Sequence, residues 1–166
     1  MSAPILFING NVLDPEAGAL RKGLGVLVRD GRIAEIGSGV VPPEGTRTID
    51  LGGRTLMPGL IDCHVHVVAE SLDLWNNMIA SSSLAGLRAA RVMEEMLQRG
   101  FTTIRDLGGA DHGLVRGVED GLIDGPRIVI CGKGLTTTGG HADLRKRTDD
   151  RPGMMSDRLG SMGLIA

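Results

Sequence analysis

The chain has 166 residues, is 42% hydrophobic and 23% charged, and carries a formal net charge of -2, which suits a globular protein of one ordinary domain's length with one hydrophobic core. Basic and acidic residues alternate along it, so no clustered basic face offers itself to nucleic acid. No apolar run approaches the roughly 20 residues that cross a bilayer, and the start, Met1-Ser2-Ala3-Pro4, lacks the basic region of a signal peptide.

Up to about residue 56 the pattern is of short strands. Residues 5–9 lead into 11–13, and 25–28 run into the turn Arg29-Asp30-Gly31-Arg32 before a return strand at 33–36. Asp-Gly between two β-rich runs predicts a hairpin. A loop through Pro42-Pro43-Glu44-Gly45 precedes a strand at 47–51. The whole reads as a small antiparallel sheet with tight turns.

Gly52-Gly53 marks a change. After residues 55–57 and Pro58-Gly59 comes the run Leu60-Ile61-Asp62-Cys63-His64-Val65-His66-Val67-Val68, too apolar for a half-exposed strand and expected to be a buried parallel one. Residues 83–99 place Leu84, Leu87, Ala90, Met93, Met96 and Leu97 at helical spacing, with Ser83 as N-cap and Gly100 as stop. A strand at 101–107, a shorter helix at 112–121 with His112 on its surface, and a strand at 127–131 follow. Strand–helix–strand–helix–strand predicts parallel pairing. Beyond Gly132 no closing element is legible. Gly132-Lys133-Gly134 is no phosphate loop, because Arg127 stands where its first glycine belongs and no Ser or Thr follows the lysine. Arg145-Lys146-Arg147 runs straight into Asp149-Asp150-Arg151 and reads as a solvated mixed-charge loop. Cys63 and Cys131 sit in strand-like runs, which predicts buried, reduced thiols and a cytoplasmic protein.

The chemistry lies at His64 and His66. Residues two apart on a strand point the same way, so both imidazoles project together and can share a divalent cation, with Zn–N distances of about 2.0–2.1 Å. An isolated His-x-His pair is a modest signal, since backbone carbonyls can also satisfy two histidines. The apolar run before this pair strengthens the metal reading. By the same parity Asp62 falls on the histidine side, where it could orient an imidazole, while Cys63 points away.

The block Pro58-Gly59-Leu60-Ile61-Asp62-Cys63-His64-Val65-His66 resembles the signature of the amidohydrolase superfamily. So do Val28-Arg29-Asp30-Gly31-Arg32-Ile33-Ala34-Glu35-Ile36-Gly37 and Ile49-Asp50-Leu51-Gly52-Gly53-Arg54-Thr55-Leu56-Met57, which look like the sheet that leads into that family's barrel. The resemblance implies a (β/α)8 barrel of the TIM type, active at the C-terminal ends of its strands. Residues 1–56 would be an N-terminal β-sandwich portion, and residues 57–166 the first three βα units of an incomplete barrel. His64 and His66 would be the first two metal ligands. The bridging lysine, the further histidines and the general-base aspartate of the binuclear enzymes have no counterpart here, so the catalytic base is unknown. Lys133 follows strand three rather than strand four. A barrel needs roughly 250 residues; the remainder of its own chain is therefore an expected partner.

Two further stretches carry weight. Thr102-Thr103-Ile104-Arg105-Asp106 looks like barrel strand two, its Arg105–Asp106 end expected to be a structural ion pair, with Asp106 in a supporting shell around the metal. Thr136-Thr137-Thr138-Gly139-Gly140-His141-Ala142-Asp143 resembles the Gly-Gly-His-x-Asp loop of the Xaa-Pro dipeptidase, carboxypeptidase and ochratoxin-amidohydrolase-like branch, which gives His141 a substrate-binding role. The expected protein is a zinc hydrolase, with two divalent ions when intact. It would cleave dipeptides or N-acyl amino acids, ochratoxin-type amides included, by a metal-activated hydroxide. Small-molecule amides, no nucleic acid, no membrane and a homo-oligomeric state complete the expectation. Cyclic-amide hydrolysis, as in imidazolonepropionase, is the alternative chemistry; a non-catalytic fragment is the alternative from another class.

Overall fold

A computed structural model describes residues 3–141, 143, 147, 148 and 163–165. The chain divides into two compact units, Met1–Pro58 and Gly59–Ala166.

In the first unit, strands β1 (Ile5–Asp14), β2 (Ala19–Arg29), β3 (Arg32–Gly37), β4 (Arg47–Asp50) and β5 (Thr55–Leu56) form one five-stranded sheet. The β2–β3 turn holds Asp30 at φ 50° and Gly31 at φ 70°, the two left-handed positions that a tight hairpin turn demands and that Asp-Gly tolerates. Leu6, Val26 and Leu27 are its buried apolar residues. The sheet departs from the antiparallel expectation. β1 pairs antiparallel with β2 but parallel with β4 and β5, because the connection through residues 38–46 returns β4 alongside β1 in the same direction. β1 is also one strand, not two: its register shifts around Gly10, and Asn9 adopts φ 56°, so the pairing passes through the irregularity.

In the second unit, β6 (Leu60–Val65), α1 (Leu74–Ile79), α2 (Ser82–Gln98), β7 (Phe101–Asp106), α3 (His112–Glu119) and β8 (Arg127–Ile130) follow in order. The three strands form a parallel sheet, β6-β7-β8. The core gathers Val67, Val68, Ala89, Met93, Met96, Ile104, Ala110, Leu114 and Ile128, so α2 and α3 cover the sheet face that carries Ile104 and Ile128. Gly100, at φ 93°, stops α2 as expected. Short strands β9 (Gly134–Thr136) and β10 (Gly163–Ile165) pair in parallel, an element that the sequence beyond Gly132 does not announce.

Four expectations are corrected. Ser81, not Ser83, caps α2: its hydroxyl accepts from the Leu84 N–H at 3.3 Å. The buried stripe of α2 is Ala85, Ala89, Met93 and Met96, four residues at i, i+4, i+8 and i+11 on one helix face, whereas Leu84 and Leu87 are exposed. The apolar run from Leu60 leaves the strand after Val65; Val67 and Val68 are buried from a turn, while Ile61 is 65% exposed. Finally, Cys63 and Cys131 are free and exposed. By strand alternation they follow Ile61 and Val129 onto the sheet face opposite the helices. Helix α1 was not legible in the sequence; Asp73 caps it by accepting from the Asn76 N–H. No helix among the described residues is long and apolar enough to cross a membrane.

Candidate metal centre

The end of β6 is anchored to the end of β7. The Leu107 N–H donates to the Val65 carbonyl at 3.0 Å, and the Ala69 N–H closes a turn on the His66 carbonyl at 3.0 Å. Pairing between Asp62 and Val65 is irregular, so strict strand alternation does not run through His64. The two imidazoles nevertheless meet, edge to face, with ring centroids 5.4 Å apart and planes at 79°. His64 is exposed and His66 half-buried.

His66 is oriented. Its Nδ1 lies 3.1 Å from the Gly108 carbonyl oxygen. A carbonyl only accepts, so this bond requires the proton on Nδ1, and in the neutral ring Nε2 is then the nitrogen with a free lone pair.

Gly108 is itself held. Asp106 is completely buried. Its Oδ1 accepts from the Gly108 N–H at 2.9 Å and the Ala110 N–H at 3.3 Å, and its Oδ2 from the Val67 N–H at 2.8 Å. One carboxylate thus ties the residue after His66 to the loop whose carbonyl receives the His66 ring. Sequence reasoning placed Asp106 near the centre but missed Gly108; the only advance sign was a Gly-Gly pair directly after the strand.

The remaining candidates divide. Asp62 is half-buried and accepts from the His64 backbone N–H at 3.0 Å, fixing the main chain at that histidine. Arg105 and Asp106 do not form the expected ion pair. Neighbours on a strand face opposite ways, so Asp106 is buried, while the Arg105 side chain is exposed and its Nε donates to the Cys63 carbonyl at 3.1 Å. His141 is exposed, in a turn where the Asp143 carboxylate accepts from the Gly139 N–H at 2.8 Å and the Asp143 N–H donates to the Gly140 carbonyl. His112 is exposed at the start of α3. In the mixed-charge stretch, residues 145, 146 and 149–151 lie outside the described residues.

The donor set fits part of a metal site. Among the described residues no group of three or more His, Cys, Asp or Glu side chains converges, whereas a catalytic zinc takes three protein ligands. The two adjacent imidazoles of His64 and His66 could supply two of them.

Residues 55–160 match the amidohydrolase family. The chain belongs to that family. Ochratoxinase from Aspergillus niger is 32% identical over 149 residues, covering 86% of this chain and 31% of its own length. Among solved structures, a prolidase complexed with N-methylphosphonate-L-proline superposes with a TM-score of 0.92 at 41% identity, over 98% of this chain and 40% of that one. A Xaa-Pro dipeptidase with methionine in its active site superposes at 0.74 and 27% identity, over 90% of this chain and 39% of that one. This amidohydrolase chain therefore spans between about a third and two-fifths of the length of the relatives it matches. Their barrel-enzyme fold agrees with the parallel sheet and covering helices of the Gly59–Ala166 unit.

Proposed function

We propose that the intact protein carrying this chain is a metal-dependent hydrolase of linear amide bonds, acting on dipeptides or N-acyl amino acids, ochratoxin-type amides included. The observation that carries the reading is the His64–His66 pair, with His66 Nδ1 3.1 Å from the Gly108 carbonyl oxygen and Nε2 the ring nitrogen not so engaged. The likeness to ochratoxinase and to the prolidase supports the choice of linear over cyclic amides.

In this reading residues 57–166 are the opening three βα units of a (β/α)8 barrel, and residues 1–56 contribute to a β-sandwich. His64 and His66 hold zinc, one of two divalent ions, together with ligands from the remainder of the protein. A divalent ion there lowers the pKa of water and polarises the scissile carbonyl. Asp62 fixes the main chain at His64 through its N–H. Asp106 supports the loop behind His66. His141, on an exposed turn after β9, contacts the substrate. A cytoplasmic, homo-oligomeric enzyme belongs to the same proposal.

The test uses the full-length protein. Its metal content is measured and it is assayed against Xaa-Pro dipeptides, N-acyl amino acids, ochratoxin A and dihydroorotate. His64→Ala and His66→Ala should each lower metal affinity by more than about a hundredfold, and His141→Ala should raise KM more than it lowers kcat. Turnover of cyclic amides with none of linear ones would overturn the substrate assignment. Full metal loading in the double variant His64→Ala/His66→Ala would overturn the metal site.

A further inference from the structure

We infer that Asp106 is a positioning residue for His66, acting through backbone alone, and that it sets which nitrogen of that ring is offered to a metal. The inference rests on the metal-hydrolase reading for its purpose, but its geometry stands apart from it.

Asp106 is fully enclosed, and a carboxylate so placed is costly unless its oxygens are satisfied. Among the described residues its three hydrogen bonds all come from backbone N–H groups: Val67 on one oxygen, Gly108 and Ala110 on the other. Such charge-assisted bonds are shorter and stronger than neutral ones. A carboxylate spent on holding apolar strands together would have no reason to choose these partners. Val67 directly follows His66, and Gly108 carries the carbonyl 3.1 Å from His66 Nδ1. The carboxylate therefore grips both sides of the histidine: the chain that bears it and the acceptor that orients it.

The alternation of β7 explains why this residue does the job. Ile104 and Asp106 share the helix-facing side of the strand, so the carboxylate projects into the core beneath the two loops instead of into solvent beside Arg105. Among the described residues its hydrogen bonds go to main-chain groups of the 66–68 turn and the 107–110 loop. The peptide that carries the Gly108 carbonyl lies between the Gly108 and Ala110 N–H groups that Asp106 holds, and its own N–H, that of Gly109, donates to the Gly132 carbonyl at 3.0 Å. The carbonyl is thereby kept toward the ring, and the Nδ1-protonated tautomer of His66 is the one that completes the bond. Release the pin, and both tautomers become available; Nε2 is then protonated, and closed to a metal, for part of the time.

The experiment is ¹⁵N NMR of the His66 ring in the metal-free full-length protein, about two units above the ordinary imidazole pKa of about 6.5, coupled with metal affinity by chelator competition. In the unsubstituted protein the proton should reside on Nδ1. In Asp106→Asn, whose amide nitrogen must face one of the N–H donors, the ring signals should move toward a tautomer mixture and metal affinity should fall about 10–100-fold. Ile128→Val, a core substitution behind the same sheet, serves as the stability control and should change neither readout. Nδ1 protonation retained in Asp106→Asn would overturn the inference whatever the affinity does. So would an Nε2-protonated His66 in the unsubstituted protein, an observation that does not depend on the variant folding, and so would equal losses in Asp106→Asn and Ile128→Val. Failure of the metal reading is distinguishable, because it would appear as unchanged metal affinity in His66→Ala while the tautomer signature persists in the unsubstituted protein.

Discussion

A Cβ built on Gly59 would stand 2.0 Å from Oγ1 of Thr102 and 2.6 Å from its Cβ. The glycine of the Pro58-Gly59 pair is therefore required by a neighbour on β7, not by its own backbone. Rotating the threonine cannot clear the clash, since its Cβ is itself too near. Gly59→Ala should cost about 1–3 kcal/mol of stability, the usual range for overpacking. Thr102→Gly should reduce that penalty in a double-mutant cycle measured by denaturant unfolding. Additive losses would show that the crowding lies elsewhere.

The two serines at the start of α2 separate a sequence-based assignment from the structural one. Ser81→Ala removes the hydroxyl that accepts from the Leu84 N–H and should destabilise by about 1 kcal/mol. Ser83→Ala lies within the first turn and should stay within about 0.5 kcal/mol of the parent. Thermal unfolding of the two variants decides it, and the reverse ranking would place the cap at Ser83.

Met93 and Leu87 make a similar contrast on one helix. Met93 is 0% exposed and Leu87 is 72% exposed. Met93→Ala should lose about 2–5 kcal/mol through a cavity against the sheet, and Leu87→Ala about 0.5 kcal/mol or less. Comparable losses at both positions would mean that α2 is rotated about its axis.

Asp50 gives a pH signature to the first unit. The Asn9 side-chain amide and then the Gly52 N–H hold its carboxyl below the ordinary value of 3.8. A group whose folded pKa is depressed contributes stability above its unfolded pKa and loses it as pH falls through the folded one. The turn at Asp50–Gly53 should thus weaken only below about pH 3.8. An NMR titration of the Asp50 carboxyl should give a midpoint under 3.8, and Asn9→Gly, which keeps the φ of 56° accessible, should raise it. A midpoint unmoved by that substitution would remove the amide as its cause.

Much of the chain was readable from local rules. Asp30-Gly31 announced its hairpin, Gly100 its helix stop, and strand–helix–strand order its parallel sheet, because turn chemistry and side-chain period act between near neighbours. The meeting of His64 and His66 was legible from their spacing, although β6 ends at Val65 and its pairing is irregular there, so strand alternation alone does not account for it. The family signature around them was likewise a matter of contiguous residues.

What the tertiary structure alone decided involves partners about forty positions away. Asp106 reaches Val67, and His66 reaches Gly108, across 39 and 42 residues. In sequence Arg105–Asp106 looked like an ion pair; the pleat of β7 sends the two side chains to opposite faces and leaves the aspartate among backbone N–H groups. The exposure of Cys63 and Cys131 followed from which face of the sheet the helices cover, and no apolar pattern states that. Sequence determined that two imidazoles stand together at a strand end. The folded chain decided how one of them is turned, because only packing brings a buried carboxylate and a loop carbonyl to the same ring.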